Sequence, residues 1–189
     1  MRHKYETRCI VLSRAPAGET NASLTLLTPD IGLVHARAQG VRRSGAKLAS
    51  ALSTFAESEL VLVRGKESWR IAGAILKENW FLRMRHATPR ARAARICRFL
   101  LRLVADEMDN AALFLTMDGF FKALAVLPED KHEAAEILAA LRILSALGLD
   151  TEHIPNTASP FAPELLTEIK KNRAQYITRI NRGIDASGL

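Results

Sequence analysis

The hydrophobic period of this chain changes once, near Asn79, and only a fold that uses strands first and helices second accommodates the change. Before that point, short apolar runs are separated by turn-forming residues. Thr7 to Arg14 is the first run and ends at Pro16-Ala17-Gly18. Asn21 to Thr28 carries Leu24, Leu26 and Leu27 and stops at Pro29-Asp30, with Gly32 just beyond, which reads as a hairpin turn into a third strand, Leu33 to Gln39. Val41-Arg42-Arg43-Ser44-Gly45 is a basic loop, and Lys47 to Leu52 has the length of one helical turn. Phe55 to Val63 and Trp69 to Lys77 are the last two strands, joined across Arg64-Gly65-Lys66-Glu67. Five short strands at this spacing favour a small barrel.

Beyond Asn79 the apolar residues recur at helical spacing. Thr88-Pro89 supplies an N-cap and a proline at the first helical position. The helix it starts is expected to reach about Glu107, with Ile96, Phe99, Leu100, Leu103 and Val104 on one face and Arg95, Arg98 and Arg102 on another. Asn110 to Leu127 is a second helix, stopped by Pro128. Asp130 to Leu147 is a third, closed by Gly148, and its apolar residues all round place it at the centre of a helical core. His153 to Pro163 is a loop with three prolines, Glu164 to about Arg179 is a last helix, and Arg182 to Leu189 is expected to fray. The expected class is α+β in two domains, 1–79 and 80–189.

Charge follows the same division. The formal net charge of +7 is the sum of 19 Lys/Arg and 7 Asp/Glu from Met1 to Ala105, net +12, and 8 Lys/Arg and 13 Asp/Glu from Asp106 to Leu189, net −5. The first part attracts polyanions such as DNA, RNA or anionic lipid, and the second suits protein partners. Cys9 and Cys97 each lack a neighbouring cysteine, so neither a zinc ribbon nor a CxxC motif exists, and both read as buried thiols in a reducing compartment. The opening Met-Arg-His-Lys is basic like a signal peptide, but Glu6, Arg8 and Arg14 interrupt any apolar run behind it. No stretch has the length and apolarity of a membrane span, and a soluble cytoplasmic chain is expected.

Catalytic patterns are missing. His3, His35, His86, His132 and His153 are scattered rather than set at ligand spacing. There is no nucleophile elbow, no papain-like cysteine motif, and no phosphate-binding glycine frame around Gly40 or Gly45. The acidic pairs Glu129-Asp130 and Glu133/Glu136 stand at helix starts, where they favour the helix dipole. The chain is therefore expected to be no enzyme and to need no cofactor. The positive signal is basic. Arg14, Arg42, Arg43, Lys47, Arg64 and Lys66 fall at loops and strand ends, Arg37 lies on the third strand, and Arg83, Arg85, Arg90, Arg92, Arg95 and Arg98 crowd the junction with the helices. Phosphate contacts need such charges along a groove. Aromatic platforms for bases are few: Trp69, Trp80, Phe55 and Phe81 are the candidates, and the pairing of Trp69 with Ile71 on one strand face points to core packing.

The run from Cys9 to Ser44 resembles the opening of the RecO family of bacterial recombination mediators. Gly18-Glu19, Thr28, Gly32-Leu33 and the Gly40-Val41-Arg42-Arg43 loop match that family's pattern in order and spacing, and Leu138 to Gly148 is similar to its central helix. The resemblance implies an OB-fold barrel of five strands followed by an α-helical bundle. It further implies binding of single- and double-stranded DNA, strand annealing, and help in loading recombinase onto strands coated by single-strand-binding protein. The implied partners are the RecR mediator and the acidic C-terminal tail of single-strand-binding protein, in a bacterial cytoplasm at the nucleoid. Many members carry a four-cysteine zinc module in the helical half; here only Cys97 lies there, and no zinc is expected. On this basis Arg14, Arg37, Arg42, Arg43, Lys47, Arg64, Lys66, Arg85, Arg90 and Arg92 are assigned to DNA, and Lys122, Arg142, Lys170, Lys171 and Arg173 to the acidic tail. An RNA-binding or ribosome-associated OB module would use the same charges.

Overall fold

The computed structural model describes residues 4–43, 45–65, 68–104, 110–154 and 160–188. Its strands are β1 Lys4–Ala17, β2 Asn21–Thr28, β3 Gly32–Ala38, β4 Ala56–Arg64 and β5 Trp69–Asn79. They close into a barrel in the order β1-β2-β3-β5-β4. Every pairing is antiparallel except β3 with β5, where Ala36 faces Trp69 and Arg37 faces Arg70. That order and that single parallel pair define an OB-fold. β1 is longer than its apolar run suggests because it serves two neighbours. Lys4 to Ile10 pairs with β4 and Ile10 to Ala17 with β2, with a register shift between Val11 and Ser13 that lets the strand bend round the closure.

Alternation decides what the barrel shows to solvent. Ala22, Leu24 and Leu26 on β2, and Val34, Ala36 and Ala38 on β3, join Leu60, Leu62, Trp69 and Ile71 in the core. Ser23, His35 and Arg37 are left on the outer face, and a slip of one residue would bury Arg37. Lys47 to Leu52 is a series of turns rather than a helix. The bonds Ala49 N to Ala46 O (3.0 Å), Leu52 N to Leu48 O (3.1 Å) and Ser53 N to Ser50 O (3.3 Å) close successive loops, and the Ser53 hydroxyl competes for the same Ser50 carbonyl at 2.9 Å. The connection ends at Phe55 with φ 66, a conformation an aromatic residue holds only when it is fixed on both sides. Phe55 N donates to Val11 O (2.8 Å) and its carbonyl accepts from Trp80 N (3.3 Å).

The helices are α1 Trp80–Arg83, α2 Ala87–Leu103, α3 Ala111–Val126, α4 His132–Ala146, α5 Pro163–Lys171 and α6 Arg173–Ala186, with a 3-10 turn at Glu129–Lys131 before α4. Four expectations change. The N-cap of α2 is His86, in extended conformation without a side-chain cap bond, rather than Thr88. The same helix ends at Leu103, short of Glu107, and residues 105–109 lie outside the described residues. The last helix breaks at Asn172 (φ −104, ψ 27) into α5 and α6. The tail does not fray at Arg182, because Gly183 packs α6 against α4 so closely that a Cβ there would lie 2.8 Å from Leu144 Cδ1. Gly148 behaves as the helix stop expected of it. At φ 72 it lets Leu149 N donate to Leu144 O at 2.9 Å.

The described residues of Met1–Arg83 and Asp106–Phe114 form one compact unit, and those of Met84–Ala105 and Leu115–Leu189 a second. In the second unit α4 is central. Ala134, Ala135, Ile137, Leu138, Leu141, Ile143 and Leu144 are buried against α2, α5 and α6.

Candidate nucleic-acid interface

The barrel gathers cations from distant parts of the sequence at the β3 end. Arg37 and Arg70 are register partners across the parallel pair, and both are exposed. Like charges set side by side repel, so this pair weakens the sheet unless an anion lies across it. Just beyond β3, Gly40 turns the chain at φ 67 and donates its N–H to Asn21 Oδ1 at 3.0 Å. Arg42 N donates to Thr20 O (2.9 Å) and Arg42 Nη1 to Gly18 O (2.6 Å), which fastens the Gly40–Arg43 segment to the β1–β2 turn. Arg42, Arg43 and Lys47 are exposed there. Arg64, at the end of β4, is exposed with its guanidinium 5.0 Å from the Trp69 ring centroid. Lys66 lies outside the described residues.

Arg14 does something else. It is half-buried, and Nη1 donates to Ala49 O (3.4 Å) and Leu52 O (3.3 Å), tying β1 to the turns between β3 and β4. Arg70 is not among the expected residues, although Trp69 and Ile71 facing inward place it outward. His35, on the same outer face, has Nδ1 3.3 Å from Thr25 Oγ1. Among the described residues none of Arg37, Arg42, Arg43, Lys47 and Arg70 forms an ion pair. Three carboxylates of the barrel are engaged elsewhere: Glu57 with Arg8, Glu59 with Lys77 at 2.9 Å, Glu78 with Arg83 at 3.6 Å.

The aromatic candidates are mostly interior. Trp69 is 4% exposed and meets the Tyr5 ring edge-on at 5.1 Å, and Trp80 is buried with Nε1 donating to Glu57 Oε2 at 3.2 Å. Phe55 is buried as well, which leaves Phe81 from the expected set; Tyr5, not expected, is exposed beside Trp69.

In the helical unit most of the singled-out cations already have partners. Arg92 and Arg95 of α2 share Glu136 of α4, and Arg95 does so through two bonds, Nε to Oε1 at 2.6 Å and Nη2 to Oε2 at 2.9 Å. Hydrogen bonding to Glu136 raises the Arg95 pKa. Arg85 is exposed and Arg90 half-buried. Lys122 meets Asp118 (2.8 Å), Lys170 meets Asp130 (3.2 Å) and Arg173 meets Glu133 (2.9 Å). Lys170, Lys171 and Arg173 thus gather at the α5–α6 junction. Arg142 is not with them: it stacks on Phe161 at 5.2 Å, and burial lowers its pKa. A groove of about 600 Å³ runs between α2, α4 and α6, floored by Ile96, Phe99, Ile137, Ile177, Ile180 and Ile184. Arg92, Arg95, Arg98 and Arg102 edge it together with Glu133 and Glu136. Both thiols are buried, which pushes Cys9 and Cys97 up to about 12 and leaves them inert. Among the described residues no group of three or more His, Cys, Asp or Glu is placed to hold a metal ion, and no helix is long and apolar enough to cross a membrane.

The family model described as Recombination protein O N terminal matches residues 1–80, the whole barrel. The barrel is that of the RecO family's N-terminal domain. Proteins named DNA repair protein RecO are similar to it. The one from Dehalococcoides mccartyi is 34% identical over 113 residues, covering 59% of this chain and 44% of the relative. The one from Roseiflexus sp. is 31% identical over 121 residues, 64% of this chain and 42% of the relative. The one from Bifidobacterium animalis subsp. lactis is 31% identical over 147 residues, 77% of this chain and 60% of the relative, a length that carries the RecO likeness past the barrel into the helices. The chain spans about half the length of the curated RecO relatives it matches.

Proposed function

We propose that this chain is a DNA-binding mediator of recombinational repair that carries no catalytic site of its own. The observation that carries the reading is the Arg37–Arg70 pair on the outer barrel face, continued by Arg42, Arg43 and Lys47 with no ion pair among the described residues. Phosphates of single- or double-stranded DNA cross that face, Arg64 extends it at the end of β4, and Tyr5 offers one ring to an unpaired base. Lys66 is assigned to the same DNA from its place in the sequence. Arg14 and Arg42 also hold the loops in place, and Arg85 and Arg90 offer further phosphate contacts from the helical unit. Neutralising two strands on one surface supports annealing without any bond being made or broken. In the cytoplasm, at the nucleoid, the chain works with RecR and helps recombinase onto strands coated by single-strand-binding protein.

The acidic tail of single-strand-binding protein goes to the groove between α2, α4 and α6 rather than to Lys122, Lys170 and Arg173. An acidic tail with apolar residues needs cations over an apolar floor, and the groove has both, with Arg98 and Arg102 in no ion pair among the described residues, whereas those three cations are already paired. Annealing of two complementary labelled oligonucleotides tests the proposal. The Arg37→Ala/Arg70→Ala variant is expected to slow annealing at least several-fold while keeping its melting temperature. An unchanged rate contradicts the assignment, and faster annealing of the same sequences as RNA moves it to the RNA-binding alternative.

A further inference from the structure

Glu136 stands in the helical groove where a ligand's carboxylate would otherwise go. Its Oε1 accepts from Arg95 Nε at 2.6 Å, and its Oε2 accepts from Arg95 Nη2 at 2.9 Å and from Arg92 Nη1. The side chain is only 17% exposed, so these charge-assisted bonds are partly shielded from water. One donor is left over: Arg92 Nε is buried and has no hydrogen-bond partner among the described residues. About one and two turns further along α2, Arg98 and Arg102 edge the same groove without an ion pair among the described residues. Glu133, the other acid on the rim, is held by Arg173 at 2.9 Å.

We propose that Glu136 is an internal competitor that sets what the groove accepts: its carboxylate occupies the Arg92–Arg95 pair, and a docking peptide must displace it. The proposal rests on the assignment of the groove to an acidic peptide with apolar residues. An intramolecular carboxylate is present at a high effective concentration. A peptide with one acid gains nothing by exchanging its carboxylate for Glu136 and is left with Arg98 or Arg102. A peptide with several acids engages Arg98 and Arg102 first, and its next carboxylate then replaces Glu136, which turns to solvent with the number of ion pairs conserved. The spare Arg92 Nε–H gives that second carboxylate an acceptor's place that Glu136 leaves empty. Glu136 thereby makes the groove selective for acid-rich peptides over singly acidic ones.

The test uses the full chain, wild-type and Glu136→Gln, with two labelled peptides that end in the same apolar residues. One carries a run of aspartates, and the other has all but one of them replaced by asparagine. Relief of competition is expected to tighten the singly acidic peptide about tenfold and the acid-rich peptide less, so that discrimination between them narrows. Glu136→Asp, with a shorter reach, is expected to fall between and serves if the Gln variant folds poorly. Equal affinities in wild-type and Glu136→Gln overturn the competition. Weaker binding of both peptides by Glu136→Gln also overturns it and makes Glu136 a positioning residue for the arginines. If neither protein binds either peptide, the groove assignment itself has failed, and the competition with it.

Discussion

At the β3 end of the barrel, Arg37, Arg42, Arg43, Lys47 and Arg70 meet no carboxylate in an ion pair among the described residues, whereas in the helical unit Arg92, Arg95, Lys122, Lys170, Arg173 and Arg179 all do. Both regions are rich in cations, but their charges serve different ends. A cation facing a carboxylate of the same chain joins parts of the fold, and its field at a distance is largely cancelled. A cation left facing solvent beside another cation costs a little stability and presents its whole charge to a ligand. The counting of Lys and Arg along a sequence does not separate these cases, since the partner of Arg92 is Glu136, in another helix.

The sharpest break of this comparison is Arg179→Ala. Arg179 and Asp150 are each 6% exposed, Arg179 Nε donates to both Asp150 oxygens at 2.9 Å, and Nη1 donates to His153 O at 3.3 Å. Removing the guanidinium leaves Asp150 buried and unpaired, at a cost of about 3–5 kcal/mol. Urea unfolding checks it, and a loss below about 1 kcal/mol contradicts the division between structural and ligand-facing cations. Next in size is the behaviour of the thiols at high pH. Cys9 and Cys97 are pushed up to about 12 by burial from an ordinary value of 9.0. Above that ordinary value the unfolded chain loses protons that the folded chain keeps, so stability falls as pH rises from there toward about 12 and is unaffected by these groups below it. The Cys9→Ala/Cys97→Ala variant should show a shallower decline of melting temperature over that window; parallel curves would show that the thiols do not contribute. The smallest effect belongs to Arg173→Ala. Its pair with Glu133 has side chains 55% and 47% exposed, so its loss costs about 0.2–1 kcal/mol and leaves DNA affinity unchanged.

Much of the barrel was legible because strand alternation and turn chemistry agree locally. β2 runs Asn21–Thr28 as its leucines and Pro29-Asp30 require, and the burial of Trp69 follows from its spacing to Ile71. Arg37 and the Gly40–Arg43 loop could be named for the same reason. What escaped notice depended on partners distant in sequence. Arg14 looks like a surface cation until the Ala49 and Leu52 carbonyls are seen around it. Gly183 looks like a frayed tail until Leu144 is found against it. The groove joins residues of three helices, and no spacing within one helix reveals that Ile177 and Ile184 of α6 complete a floor begun by Ile96 and Phe99.

The most direct test of the account is the salt dependence of single-strand binding, read by fluorescence anisotropy of a labelled oligonucleotide. Wild-type is compared with Arg37→Ala/Arg43→Ala/Arg70→Ala and with Lys170→Ala/Arg173→Ala. Each lost phosphate contact removes about 0.7 from the slope of log K against log salt, so the barrel variant is expected to be shallower by roughly 2, and the helical variant to keep the wild-type slope. A wild-type slope in the barrel variant, or a shallower one in the helical variant, would contradict the claim that the barrel cations without carboxylate partners are the ones that meet nucleic acid.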